Sequence, residues 1–214
     1  METGNDDGGT RRQGFLIYGL AAAGALAVMA VGMVMERASN VPDEPRPAAV
    51  TVPTPVESGQ FIRHAKPVTL PALSFNGADG KARFLSEWRG KIVLLNIWAT
   101  WCPPCVREMP ALDKLQAEKG GDGFAVVAVS TDRSGLAKPK AFYERVGIKS
   151  LALFNETSGD LSLALDADRL PLTIILDREG REVGRYFGAA EWDSAEVFAK
   201  VMAMAGATAG AARR

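Results

Sequence analysis

Two uncharged seven-residue runs, Ile92–Trp98 (IVLLNIW) and Phe124–Ser130 (FAVVAVS), constrain most severely what this chain can fold into. Runs so short and so continuously apolar suit strands covered on both faces, the interior of a sheet packed between layers. Between them, Cys105–Glu118 places apolar residues at 105, 109, 112 and 115, the stripe of a helix with one buried side. A strand, a helix and a second strand in that order predict a β-α-β half.

The remaining elements extend this pattern. Phe75-Asn76-Gly77-Ala78-Asp79-Gly80 marks a turn, and a short Leu85–Trp88 segment ends at Arg89-Gly90. Pro139–Val146 reads as a helix entered through proline, and Leu161–Leu165 as a short helix. Thr173–Asp177 and Glu182–Phe187 flank Asp177-Arg178-Glu179-Gly180, the pattern of a hairpin. Asp193, with Glu196 three residues on, opens a last amphipathic helix through Val197, Phe198 and Val201. The predicted fold is α/β, a mixed central sheet flanked by helices over residues 67–204.

Upstream, Phe15–Met35 is a stretch of 21 residues without a charge. At about 1.5 Å per residue it is long enough to cross a hydrocarbon core, and it reads as an uncleaved transmembrane signal anchor. A cleavable signal fits less well, because Glu36-Arg37 follows where a small-x-small site belongs. Thr10-Arg11-Arg12 is only a weak twin-arginine pattern. Arg11 and Arg12 on one side nearly balance Arg37 and Arg46 on the other, so charge alone leaves the orientation open. Residues 36–66, with prolines at 42, 45, 47, 53 and 55, read as a stiffened linker, and 205–214 as a frayed tail. His64, the only histidine, falls at the end of that linker and reads as solvated.

Composition narrows the chemistry. With 25 Lys+Arg against 25 Asp+Glu the net charge is zero, and no basic run invites nucleic acid. Two cysteines and one histidine cannot make a four-ligand zinc site within one chain, and two thiols make at most one disulfide.

Those two cysteines stand in Trp98-Ala99-Thr100-Trp101-Cys102-Pro103-Pro104-Cys105, between a buried strand and the first turn of a helix. The helix N-terminus favours a thiolate there, so Cys102 is predicted to be the exposed nucleophile. Cys105, inside the first turn and on the buried stripe, is predicted to be the resolving thiol. Both intervening residues are proline and offer no N–H, which leaves the Cys105 amide as donor to Cys102. Half of a zinc site shared across a dimer is a weaker reading. A purely structural disulfide is weaker again, since closing so short a loop removes little unfolded-state entropy.

WATWCPPC followed by Val106-Arg107-Glu108-Met109-Pro110 resembles the thioredoxin superfamily, and more narrowly the membrane-anchored thiol:disulfide interchange proteins of the TlpA group. LSEWRGKIVLLNIWATWC before the motif, Leu170-Pro171 ahead of the hairpin and GAAEWDS near the end carry the similarity over nearly all of Leu70–Met204. The CcmG/DsbE and ResA groups of cytochrome c maturation share most of these features.

The resemblance implies a thioredoxin-like fold with a redox-active Cys102–Cys105 disulfide, and neither cofactor nor metal. It assigns Pro171 as a cis-proline beside the cysteines, with Leu170 and Trp101 contacting substrate; the residues alone support only a proline at a strand start. Pro110 matches a helix-kink proline, and Trp98 belongs to the core. Glu108, one turn after Cys105, is a candidate for tuning the thiol pKa values; as a sequence feature it is equally a half-solvated helix glutamate. General thioredoxins carry a buried aspartate six residues before the first cysteine, where this chain has Asn96. An amide takes no proton, so any base assisting Cys105 is Glu108 or water.

The same resemblance implies residues 1–14 in the cytoplasm and the domain on the periplasmic side of the inner membrane. It implies a membrane electron donor of the DsbD/CcdA type and, as substrates, oxidised thiol pairs in a copper chaperone or an oxidase subunit. Apocytochrome c is the alternative target. Two further classes stay open: a metal carrier binding through Cys102 and Cys105, and an oxidant of the Dsb kind using the same cysteines in reverse. A peroxidase is disfavoured, because both cysteines lie in one C-x-x-C.

Overall fold

The computed structural model describes residues 59–206. The expected cytoplasmic segment 1–14, the anchor 15–35, most of the linker 36–66 and most of the tail 205–214 lie outside the described residues. Among the described residues, no helix is long and apolar enough to cross a membrane.

Eight strands form one mixed sheet: β1 (Phe61–Thr69), β2 (Ser74–Gly77), β3 (Ala82–Phe84), β4 (Ile92–Trp98), β5 (Phe124–Ser130), β6 (Phe154–Asn155), β7 (Leu172–Leu176) and β8 (Arg181–Phe187). Their order across the sheet is β1-β8-β7-β4-β5-β6-β2-β3. The parallel pairs are β4–β5 and β5–β6, and every other neighbouring pair is antiparallel. Among the described residues four helices flank this sheet: α1 (Pro103–Lys119), α2 (Ala137–Val146), α3 (Asp160–Ala164) and α4 (Ala195–Met204). Leu85–Trp88 is a single 3-10 turn.

The two apolar runs occupy the middle of this sheet, and all seven residues of each are buried. Because side chains alternate along a strand, β4 feeds two separate cores. Ile92, Leu94 and Trp98 pack with Cys105, Met109 and Leu112 of α1, with Phe142 of α2 and with Val201 of α4. Val93, Leu95 and Ile97 pack on the other face with Phe75, Leu161, Leu165 and Leu172. Asn96 follows the same alternation, so it belongs to the α1 face, with the cysteines and Glu108.

The fold differs from the sequence reading at both ends of the domain. Residues 61–66 are strand rather than linker: β1 adds to the outer side of β8, so the folded domain includes these residues instead of starting at residue 67. His64 is consequently part of the sheet rather than free in solvent, and its Nε2 lies 2.7 Å from Oε1 of the buried Glu182. Arg185 grips both oxygens of the same carboxylate, at 2.6 and 2.8 Å. Burial works to raise the pKa of Glu182, but the hydrogen bonds from Arg185 and His64 outweigh it and hold the carboxyl below its usual range. At the far end, Ser194 rather than Asp193 caps α4, accepting from the Val197 amide at 3.2 Å, while Asp193 pairs with Lys114 at 2.9 Å. A serine hydroxyl and an aspartate cap equally well, so their adjacency in the sequence left the choice to packing.

Candidate active site

Cys102 and Cys105 are joined in a disulfide, with Cα atoms 5.3 Å apart. The local sequence explains the placement. Cys102 is the N-cap of α1, with prolines in its first two positions, where a missing N–H costs no helical hydrogen bond. The Cys102 carbonyl accepts the first helical bond, from Val106 at 3.1 Å. Its Sγ accepts from the Cys105 amide at 3.3 Å, the single donor that two prolines leave available. Cys105 is wholly buried, as its place on the apolar stripe predicts. Cys102 is the correction: it is only 3% exposed, and what stands in solvent next to it in the chain is Trp101, 66% exposed.

The Leu170–Pro171 peptide is cis, as the resemblance implied. Leu170 lines, with Trp101, Cys102, Pro103, Pro104, Thr131, Arg133, Gly159, Ser162, Ala167 and Asp168, a groove of about 430 Å³. Trp101, Leu170 and Cys102 are thus brought together, while Pro171 is buried and does not itself line the groove. His64 is not brought to the dithiol, nor does it line this groove.

Glu108 is buried, at 3% exposure, which removes the half-solvated alternative. Oε1 accepts from Asn96 Nδ2 at 2.8 Å. Oε2 accepts from Trp192 Nε1 at 2.7 Å and from the Ala190 amide at 3.3 Å. Burial pushes its pKa up to about 7 even though all three donors favour the anion. Asn96 Nδ2 also donates to Thr173 Oγ1 at 3.0 Å, while Asn96 Oδ1 is buried without a partner. Turning that amide over would offer its oxygen to a protonated Glu108. One asparagine therefore has a partner atom for either state of the carboxyl, which an aspartate at 96 would lack.

A second polar cluster holds the loop in front of Cys102. The buried Asp132, just past the end of β5, accepts from the Thr100 amide at 2.9 Å, the Thr100 hydroxyl at 2.6 Å and the Ser130 hydroxyl at 2.7 Å. Asn155 Nδ2 donates to the carbonyls of Ser130 and Asp132, at 2.9 and 3.1 Å. β4 and β5 run parallel, so their carboxyl ends share one edge of the sheet, and the two loops leaving them meet. Asp132→Ala strands an amide and two hydroxyls; it is expected to lower stability by about 3 kcal/mol in urea unfolding. A loss below about 1 kcal/mol would mean that water replaces the carboxylate.

Asp132 and Arg133 escape a motif search because neither belongs to a recognised motif, and Trp192, though inside GAAEWDS, has no role assigned to it there. The available signal was positional: Ser130-Thr131-Asp132 is a polar stop on a buried strand parallel to the one that delivers the cysteines.

Comparison with known proteins agrees with this geometry. Residues 65–201 match the Redoxin family. The chain is 33% identical over 113 residues to the thiol-disulfide oxidoreductase ResA of Geobacillus thermodenitrificans, covering 53% of this chain and 64% of that protein. It is 36% identical over 112 residues to the thioredoxin-like protein YneN of Bacillus subtilis, covering 51% and 64%. The chain thus spans somewhat less than two thirds of these curated relatives. Among solved structures it is similar to a thioredoxin-family thiol:disulfide interchange protein of Chlorobium tepidum, at 26% identity and TM-score 0.55, covering 66% of this chain and 98% of that one. The exposed lipoprotein thioredoxin Etrx1 of Streptococcus pneumoniae gives 28% identity and TM-score 0.54, covering 62% and 99%. With the family matched over more than half its length and the thioredoxin-like fold in place, the chain belongs to the Redoxin family.

Proposed function

We propose that the protein is a thiol:disulfide oxidoreductase acting as a reductant of protein disulfides. The observation that carries this reading is the Cys102–Cys105 disulfide at the N-terminus of α1, bordering a groove walled by Trp101 and Leu170. In the dithiol state, the Cys102 thiolate attacks one sulfur of a substrate disulfide. A mixed disulfide forms, and the other substrate sulfur leaves as a thiolate. Cys105 then attacks Cys102 Sγ, which restores the internal disulfide and releases the second substrate sulfur. Two electrons pass to the substrate, and a membrane dithiol donor of the DsbD/CcdA type returns them.

The natural setting for this chemistry is the periplasmic side of the inner membrane, the domain being carried there by the apolar span 15–35. The relatives named ResA support apocytochrome c as the substrate class, in cytochrome c maturation. The TlpA-like GAAEWDS segment favours a second reading, a copper chaperone or oxidase subunit; its Trp192 is the residue that binds Glu108. A metal carrier using His64 has less support, since that side chain is engaged by Glu182.

Full-length Cys105→Ser, expressed in the native host and acid-quenched, tests the reading. This variant completes the first attack and cannot resolve it, so it is expected to accumulate mixed disulfides through Cys102. Apocytochrome c among the captured proteins supports maturation, and a copper chaperone or oxidase subunit supports the second reading. No captured protein, with the domain correctly exported, would overturn dithiol exchange.

A further inference from the structure

The groove beside Cys102 has apolar walls and one exposed cation without an ion-pair partner among the described residues. Trp101, Pro103, Ala167 and Leu170 supply the apolar surface, and only Arg133 and Asp168 among its lining residues are charged. Asp168 already has a cation, with Arg169 Nε 3.7 Å from its Oδ1, and that guanidinium also lies 4.9 Å from the Phe187 ring centroid. Arg133 is exposed, and no carboxylate among the described residues pairs with it. Its neighbour Asp132 does not line the groove: it is buried, with its oxygens hydrogen-bonded to Thr100 and Ser130, and offers no contact of its own to a ligand there. The N-terminus of the 17-residue α1 points the positive end of its dipole into the same region.

Arg133 is also held in place. It is the second residue of a turn closed by the Gly135 amide on the Asp132 carbonyl at 3.1 Å, with Gly135 at φ 78°, a conformation that favours glycine. The first residue of that turn is the one that grips Thr100, next to Trp101 and Cys102. One buried carboxylate thus fixes the charged turn and the redox loop to each other.

Resting on the oxidoreductase reading, we infer that Arg133 selects substrates: the groove favours a disulfide-bonded polypeptide with an aspartate or glutamate close to the attacked cysteine. The carboxylate meets the Arg133 guanidinium while neighbouring apolar groups lie on Trp101 and Leu170. An exposed pair of this kind supplies selectivity and encounter rate rather than tight binding.

The experiment is a single-turnover assay with purified, reduced full-length protein and three synthetic peptides that share one disulfide. They differ only in flanking residues: acidic, uncharged or lysine. The wild type is expected to reduce the acidic peptide about fivefold faster than the lysine peptide at low salt, the scale of one exposed ion pair. The preference should fade near 1 M salt, where screening acts within about 3 Å. Arg133→Gln should erase the ratio and Arg133→Glu invert it. Because each ratio is internal to one protein, loss of active material in a variant does not affect it. Equal rates on the acidic and lysine peptides in the wild type, or a preference that survives Arg133→Glu, would overturn this inference and leave the oxidoreductase reading standing. Failure of the wild type on all three peptides would overturn both.

Discussion

Cys102→Ser is expected to reduce protein disulfides no faster than the uncatalysed rate, with the fold unchanged. A serine hydroxyl stays protonated at neutral pH and is a poor nucleophile towards sulfur, whereas the thiol at this position sits at the N-cap of a 17-residue helix. The Cys105 amide, which reaches Cys102 Sγ at 3.3 Å, adds a donor that stabilises negative charge on that sulfur. Circular dichroism and reduction of a model protein disulfide, measured on the same preparation, check both halves of the expectation. A Cys102→Ser protein that folds and still turns over would place the nucleophile elsewhere. Only Cys105 would remain, and it is wholly buried.

The second large effect concerns Glu108 and pH. Its pKa rises from the ordinary 4.5 to about 7 because burial penalises the charged form. Between those values the folded protein holds a proton that the unfolded chain has released. The stability linked to this group is therefore fully present below pH 4.5 and is lost as pH rises through 7. At about 1.4 kcal/mol per pKa unit, the loss amounts to about 3 kcal/mol by pH 8. Glu108→Gln removes this dependence, and Asn96 can turn its amide to accept from the new side chain. Unfolding free energies of the two proteins from pH 5 to 8, taken as a difference so that shared groups cancel, should change by most of that amount. A difference independent of pH would show that Glu108 is ionised throughout. The same substitution removes a negative charge from the helix that carries Cys105. It is therefore expected to lower the pKa of the Cys102 thiol, read from ultraviolet thiolate absorbance of the reduced protein. A purely structural glutamate would leave that titration unmoved.

The two networks divide the work around the dithiol. Glu108, Asn96, Thr173 and Trp192 connect α1, β4, β7 and the approach to α4 behind the cysteines. Thr100, Ser130, Asp132 and Asn155 connect the loop before Cys102 to β5 and β6 in front of them. Each is assembled from residues far apart in sequence, with Asn96 and Trp192 both reaching the same carboxyl group.

Much of this was legible from local signals. Ile92–Trp98 and Phe124–Ser130 came out as strands with the predicted bounds, because an uncharged run of that length fits little else than a doubly covered strand. The C-x-x-C sat at a helix start because proline at the first turn and an apolar stripe from 105 to 115 say so locally. β1 was not legible: Phe61–Thr69 is mostly exposed and contains His64, Lys66 and Pro67, so its pattern is that of a linker. What makes it a strand is the free edge of β8, and no residue within the segment reports that edge.

The sequence by itself determined which chemistry was available, since two cysteines, one spacing and one helix start leave dithiol exchange ahead of every other use of these side chains. It also determined the core strands, whose apolar character does not depend on where their partners lie. Only the tertiary structure decided the state of Glu108. A glutamate on a helix is solvated or buried according to what packs over it, and here Trp192, 84 residues away, closes that site. Only the tertiary structure placed Arg133 beside Cys102, because two loops become neighbours when their strands run parallel, and strand pairing is a long-range property of the chain.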